Sequence, residues 1–340
     1  MEKSSTASHL SVVMTTNEID KTQIPRESSM TSSFSHGDGF YWRFALLVVG
    51  VVGLAGNVLI LYALVASKQQ KKHALIVNQN VLDFFSSVFL IVSCAVDLCK
   101  IHLTGVLGYW LCVVLLSECA VWCATNGSMT NLAIITIDRY LKVVHPIWSR
   151  KWLRPWVVHS AMAFSWIMGI IPNTLMAFYT ATVIDGKCYS YVIENYVANM
   201  TAMVFYILFY YVIILVIFIF CYWRILAKIR RQASVMASHS TSGSNTAQTQ
   251  SHQIQTNVIK TMIQVSTFYA IAWLPYNTFT LFASTGIVPV TFADTGYVAT
   301  SFLAFFYTGA NPFIYATKFN PVREILRKMI PCKTSVQPAG

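Results

Sequence analysis

Charge is what this chain has least of. Only 11% of its 340 residues are Asp, Glu, Lys or Arg, while 55% are hydrophobic; an ordinary globular domain carries about 25% charged residues, so a soluble fold is excluded first. Acids are scarcer still, with 13 Asp and Glu against 24 Lys and Arg. The two halves show no self-similarity, which argues against a repeat-built transporter. No row of titratable groups crosses the apolar segments as a proton pump needs; Asp83 stands almost alone at mid-depth. The histidines at 9, 36, 73, 102, 145, 159, 239 and 252 form no metal-ligand spacing. Nucleophile elbows and phosphate loops are also missing, so an enzyme reading has nothing to stand on. Without an early apolar segment and cleavage site, the first apolar run is expected to act as its own insertion signal.

What is present is a series of seven apolar runs: Phe44 to Ser67, Ala74 to Cys99, Tyr109 to Ile137, Pro155 to Ile184, Tyr196 to Trp223, Thr261 to Phe292 and Thr295 to Thr317. A helix needs about 20 residues to cross hydrocarbon at about 1.5 Å rise each, and every run is long enough. With the N-terminus outside, 18 of the 24 basic residues fall on the inner side, so the positive-inside bias predicts N-out, C-in topology. The formal charge of +11 then belongs to the cytosolic face and calls for no nucleic-acid partner. The expected organisation is a disordered outer tail over 1–40, rich in Ser and Thr, a receptor-sized bundle over 41–318, and an amphipathic helix with a cytoplasmic tail over 319–340. Of two glycosylation sequons, Asn126-Gly127-Ser128 lies inside the third run, and Asn199-Met200-Thr201 near the outer end of the fifth.

Most of the eight cysteines lie in apolar runs, where a thiol is a small hydrophobe. Cys112, opening the third run, and Cys188, in "IDGKCYSY", both face an oxidising compartment and can pair, with Cys119 as a competing partner. Inside the runs, Asp83 in "NQNVLDFFSS" shares its depth with Asn57, Ser128, Asn131, Thr308 and Asn311. One carboxylate among neutral oxygens suits a monovalent cation or a proton-sensitive network; interhelical hydrogen bonding is the plainer alternative. Asp138-Arg139 at the inner end of the third run reads either as a switch whose guanidinium is released to a partner or as the charge that stops a span. Pro275 and Pro312 each remove a backbone hydrogen bond and predict kinks.

Together, Gly56-Asn57, Asp83, Asp138-Arg139-Tyr140, Trp166, Trp273-Leu274-Pro275 and Asn311-Pro312-x-x-Tyr315, in that order over seven spans, resemble the rhodopsin-like (class A) G-protein-coupled receptors. The likeness covers about residues 41 to 332. It implies an all-α, seven-transmembrane helix bundle in the plasma membrane, with a short amphipathic eighth helix in "KFNPVREILRKMI" and Cys332 open to palmitoylation. It implies that Arg139 engages the C-terminus of a heterotrimeric G protein, with Tyr222 and Tyr315 moving to support it. Asp83, Ser128 and Asn311 match sodium-pocket positions, so an allosteric sodium ion is the one cofactor implied. Trp273 matches the rotamer-sensitive floor of the ligand cavity, and Cys112 and Cys188 match the disulfide of the second outer loop. Arrestin, receptor kinases and membrane lipids follow as expected partners.

The chain departs from the family's pattern in places. Gln79 stands where Leu is usual, and Cys112 lies 27 residues before Arg139, two more than usual. The fifth span lacks its proline near Ile214. Tyr269 replaces a common Phe and Ala272 a common Cys. Gln255 occupies the inner end of the sixth span, where an acid would restrain Arg139, which predicts basal signalling.

Two ligand classes are disfavoured. Phe305 stands where an opsin needs a Schiff-base lysine, and Val121, beside Trp122, where an amine receptor needs an Asp. The outer end holds Asp97, Glu118, Asp185, Glu194 and Asp294 with Trp110, Trp122, Tyr189, Tyr191, Tyr196, Tyr276 and Tyr297. Acids and aromatics around a mouth suit a cationic peptide, with a lipid or small organic ligand as the alternative. The third inner loop, Lys228 to Lys260, starts basic and turns Ser/Thr/Gln-rich, which predicts a flexible segment open to kinases.

Overall fold

The computed structural model describes residues 38–68, 70–190, 196–239, 246–285 and 295–318, with the single positions 323 and 325. The expected outer tail, most of the eighth helix and Cys332 lie outside the described residues, as do Tyr191, Glu194 and Asp294. Seven helical spans form the bundle. They are α1 (Asp38–Ala66), α2 (Ala74–Leu98), a composite third span of α3 (Gly105–Leu111) and α4 (Cys119–Val144), α6 (Pro155–Thr180), a fifth of α7 (Tyr196–Ile207) and α8 (Ile213–His239), α9 (Thr246–Ser284) and α10 (Thr295–Lys318). The short α5 (Pro146–Trp152) connects the third span to the fourth. Both α5 and α6 begin on proline, where the missing N–H costs nothing.

The first five spans are each long and apolar enough to cross a membrane. The last two are held by packing: α9 lies against α7 and α10, and α10 also against α1, which closes the ring around α4. Their interior is aromatic, with Tyr269, Trp273, Tyr307 and Tyr315 fully buried. Where α4 meets α6, Gly127 and Gly169 let the backbones touch; a Cβ on Gly169 would collide with the Cys123 carbonyl. That position cannot carry a side chain without parting the helices.

Two spans are less regular than their apolar runs predict. In the third, Cys112–Leu116 forms a wide π-turn, closed by the Ser117 N–H donating to the Cys112 carbonyl at 2.9 Å. Glu118 follows in the left-handed conformation with φ 60°, and α4 restarts at Cys119. A π-turn absorbs an extra residue, so this break accommodates the longer Cys112-to-Arg139 spacing. The fifth span makes a second π-turn at Leu208–Val212, although it has no proline there. That turn aims two successive tyrosines inward: the Tyr210 hydroxyl donates to the Met168 carbonyl at 2.5 Å, and Tyr211 to the Ala270 carbonyl at 2.9 Å.

Two boundaries also differ. The fourth span ends at Thr180, and the residues read as its end form strand β1 (Thr182–Ile184), antiparallel to β2 (Lys187–Tyr189). Asp185 and Gly186, with φ 49° and 73°, supply the two left-handed residues of a tight hairpin turn. The third inner loop is shorter than predicted, because α8 runs to His239 and α9 starts at Thr246. Its Ala, Lys, Arg, Gln and Met residues are helix formers that extend both spans beyond their apolar runs.

Candidate functional site

The polar residues inside the spans meet at one level of the bundle. Asp83 is fully buried. Its Oδ1 accepts a hydrogen bond from the Ser128 hydroxyl at 2.5 Å and its Oδ2 one from Asn311 Nδ2 at 3.1 Å, so the three residues matched to the sodium pocket do come together. A fourth joins them. Gln79 Nε2 lies 3.5 Å from both carboxylate oxygens and donates to the Ser128 hydroxyl. A cation needs oxygen lone pairs turned towards it, whereas here three donors converge on the carboxylate and two of them are amide N–H groups. The residues present do not suit a resident sodium ion. Asn57 stays apart, donating to the Gly53 carbonyl at 2.9 Å, and Thr308 bonds back to the Phe305 carbonyl at 2.7 Å.

At the inner end, Asp138 is 5% exposed and faces two cations. Arg139 Nε lies 3.7 Å from Asp138 Oδ2, but Lys142 Nζ is closer, at 2.8 Å from Oδ1 and 2.9 Å from Oδ2. Lys142 is one helical turn on, the usual spacing for such a pair. Arg139 Nε makes no hydrogen bond among the described residues. Arg139 is therefore only loosely held. Tyr140 turns away, its ring tilted against Phe220 and its hydroxyl 3.2 Å from His145 Nε2. The Tyr222 hydroxyl bridges Thr136 at 3.0 Å and Ser266 at 2.9 Å, which joins the third, fifth and sixth spans. Tyr315 is fully buried, and its hydroxyl has no hydrogen-bond partner among the described residues. Such a group is costly to leave unpaired. Pro312 packs where Gly56 leaves room. His73, which precedes α2, sits in the positive field of this region. Burial first, then Arg139, Lys72 and Lys142, pushes its pKa down to about 4.

In the outer half, Trp122 is the hub. Its ring centroid lies 6.0 Å from Trp273, 5.6 Å from Tyr276, 5.5 Å from Phe305 and 6.4 Å from Tyr206. Beside it is a cavity of about 380 Å³ whose wall includes Trp122, Met176, Met203, Tyr206, Tyr276 and Tyr297. Trp273 lies beneath, touching Trp122 and Tyr276. Val121 does not line this cavity and is packed in the core.

Asp97 and Glu118 stand apart from the cavity wall. Arg43 of the first span takes both, at 2.9 Å from Asp97 and 2.8 Å from Glu118. The two acids expected to steer a cationic ligand already have a cation of their own. Arg43 was legible in the sequence only as the one basic residue at the outer end of the first apolar run. Gln79 carried a clearer signal, an amide where the family has Leu. Cys112 is disulfide-bonded to Cys188, while Cys119 sits with its Sγ 3.9 Å from that of Cys123. The bond joins β2 to the third span, and the Leu103 N–H donating to the Gly186 carbonyl at 2.9 Å steadies the hairpin turn.

Comparison with known proteins places this arrangement. The chain is 27% identical over 318 residues to melanopsin-B of Gadus morhua, covering 85% of this chain and 48% of that one, so it spans about half the length of that relative. It is 25% identical to galanin receptor type 1 of Rattus norvegicus, covering 85% and 82% of the two chains. The allatostatin-A receptor of Bombyx mori is 22% identical over 84% of this chain and 78% of its own. The crystal structure of squid rhodopsin superposes with a TM-score of 0.69 over 86% of this chain and 85% of that one, at 18% identity, which shows a shared fold. Residues 56–315 match the profile of the 7 transmembrane receptor (rhodopsin family), and the chain belongs to that family of multi-pass membrane receptors, which are not enzymes.

Proposed function

We propose that the protein sits in the plasma membrane with its N-terminus outside and activates heterotrimeric G proteins when a ligand binds its outer half. The observation that carries this is Arg139. Its guanidinium is 3.7 Å from an Asp138 that Lys142 holds more closely, so a G-protein α-subunit supplying backbone carbonyls competes with a weak restraint. In this reading Tyr222, which bridges three spans, and Tyr315, whose hydroxyl has no partner among the described residues, move to support Arg139. Arrestin and receptor kinases belong to the same reading through the Ser/Thr-rich segment between α8 and α9.

For the ligand we favour a peptide. The galanin and allatostatin-A receptors among the relatives and the aromatic wall of Trp122, Tyr206, Tyr276 and Tyr297 support an aromatic or apolar side chain entering the cavity. One observation supports the alternative of a lipid or small organic ligand. The cavity wall is mostly apolar, and Asp97 and Glu118 are spent on Arg43. Retinal bound as a Schiff base is not supported, since Phe305 packs against Trp122 and no lysine lies between Thr295 and Thr317. The test is a ligand library screened against a panel of G-protein dissociation sensors, with Arg139→Ala as control. A ligand that dissociates a G protein through the native chain and not through the variant supports the proposal. An agonist response that survives intact in the variant refutes the role of Arg139.

A further inference from the structure

The orientation of the Gln79 amide follows from a chain of contacts with little freedom. It starts at Trp166, whose indole N–H can only donate and does so to Asn78 Oδ1 at 3.0 Å. The other end of Asn78 is therefore its NH2, which donates to Asn131 Oδ1 at 2.9 Å and to the Ser165 hydroxyl at 3.2 Å. Asn131 in turn directs its NH2 at the Leu75 carbonyl, which can only accept, at 3.0 Å, and at Gln79 Oε1 at 2.8 Å. With its oxygen committed there, Gln79 has only its NH2 left for Asp83 and Ser128. Turning the amide over would set two NH2 groups against each other at Asn131 and an oxygen against the carboxylate. Gln79, Asn131 and Asp83 are all fully buried, so water offers no relief.

We propose that this pinned amide takes the place of a cation against Asp83, so that the carboxylate is covered by the protein's own donors and does not respond to sodium. The relay Trp166–Asn78–Asn131–Gln79–Asp83–Asn311 then links the fourth, second, third and seventh spans by direct hydrogen bonds. Its strength is independent of the salt outside the cell. This inference concerns the ligand-free bundle and stands whether or not the G-protein reading does.

Thermal unfolding of the purified full-length receptor, in sodium chloride against choline chloride at equal ionic strength, tests it without ligand or G protein. The native chain should unfold at the same temperature in both salts. Gln79→Leu, which removes the donor and leaves Asp83 open, should gain about 2–4 °C in sodium, and adding Asp83→Asn should abolish that gain. Gln79→Met, which keeps more of the side-chain length, serves the same purpose if the leucine variant does not fold. Saturable stabilisation of the native chain by sodium overturns the proposal. So does a leucine or methionine variant that folds and shows no sodium response.

Discussion

The outer and inner halves of the third span are built on different terms. From Cys119 to Val144 the helix is unbroken: Ser128 meets Asp83 as the motif order predicts, Thr136 meets Tyr222, and Arg139 lies near the inner end. From Gly105 to Glu118 the same apolar composition gives a π-turn, a left-handed Glu118 and an ion cluster around Arg43. The comparison teaches that hydrophobicity alone places a span in the bilayer, while the backbone within it is set by cross-links. Here these are a disulfide at Cys112 and an ion pair at Glu118.

The largest effect that would sharpen this contrast comes from the disulfide. Cys112→Ser or Cys188→Ser should lose about 2–5 kcal/mol of stability, seen as sharply reduced surface expression. Arg139→Ala, in the regular half, should leave expression near the native level. Equal expression of both would undo the distinction. Arg43→Gln comes next, since it strands Asp97 and Glu118 without a cation. Because these groups are partly exposed, the expected loss is about 1–3 kcal/mol; replacing both acids by their amides in the same chain should restore most of it. If Arg43→Gln instead left stability untouched and tightened binding of a cationic peptide, the acids would be ligand-facing after all.

Smaller effects belong to the end of the bundle that holds Arg139. Placing an acid at Gln255 should lower basal second-messenger output several-fold by giving Arg139 a restraint it lacks; native basal output no higher than in mock cells would contradict the loose-arginine reading. His73 sets a pH window. Its pKa is pushed down to about 4 in the folded chain, against about 6.5 when unfolded, so the unfolded chain binds the extra proton first. Stability at His73 is therefore intact above pH about 6.5 and declines as pH falls towards 4. His73→Gln should flatten that part of the stability profile, measured on purified receptor.

Much of the fold was readable because seven long apolar runs leave few alternatives, and because Asp83, Asp138-Arg139 and Asn311-Pro312 sit at matching depths. What could not be read has physical causes. No Gly or Pro marks the break at Ser117–Glu118, since the disulfide and Arg43 stabilise it from distant parts of the chain. The wide turn in the fifth span lacks proline and is fastened by Tyr210 and Tyr211 across the bundle. In the midplane cluster, Gln79 was visible as a departure, but its effect depends on Asn131, Asn78 and Trp166, which only the packing of α2, α4 and α6 brings into line.

The central claim is that ligand binding around Trp122 frees Arg139 for a G protein. Its most direct test is agonist-driven G-protein dissociation in cells expressing equal surface amounts of the native chain, Arg139→Ala and Trp122→Ala. The account predicts a response from the native chain, none from Arg139→Ala, and a much weakened one from Trp122→Ala that higher agonist concentrations recover. A full response from Arg139→Ala would contradict it.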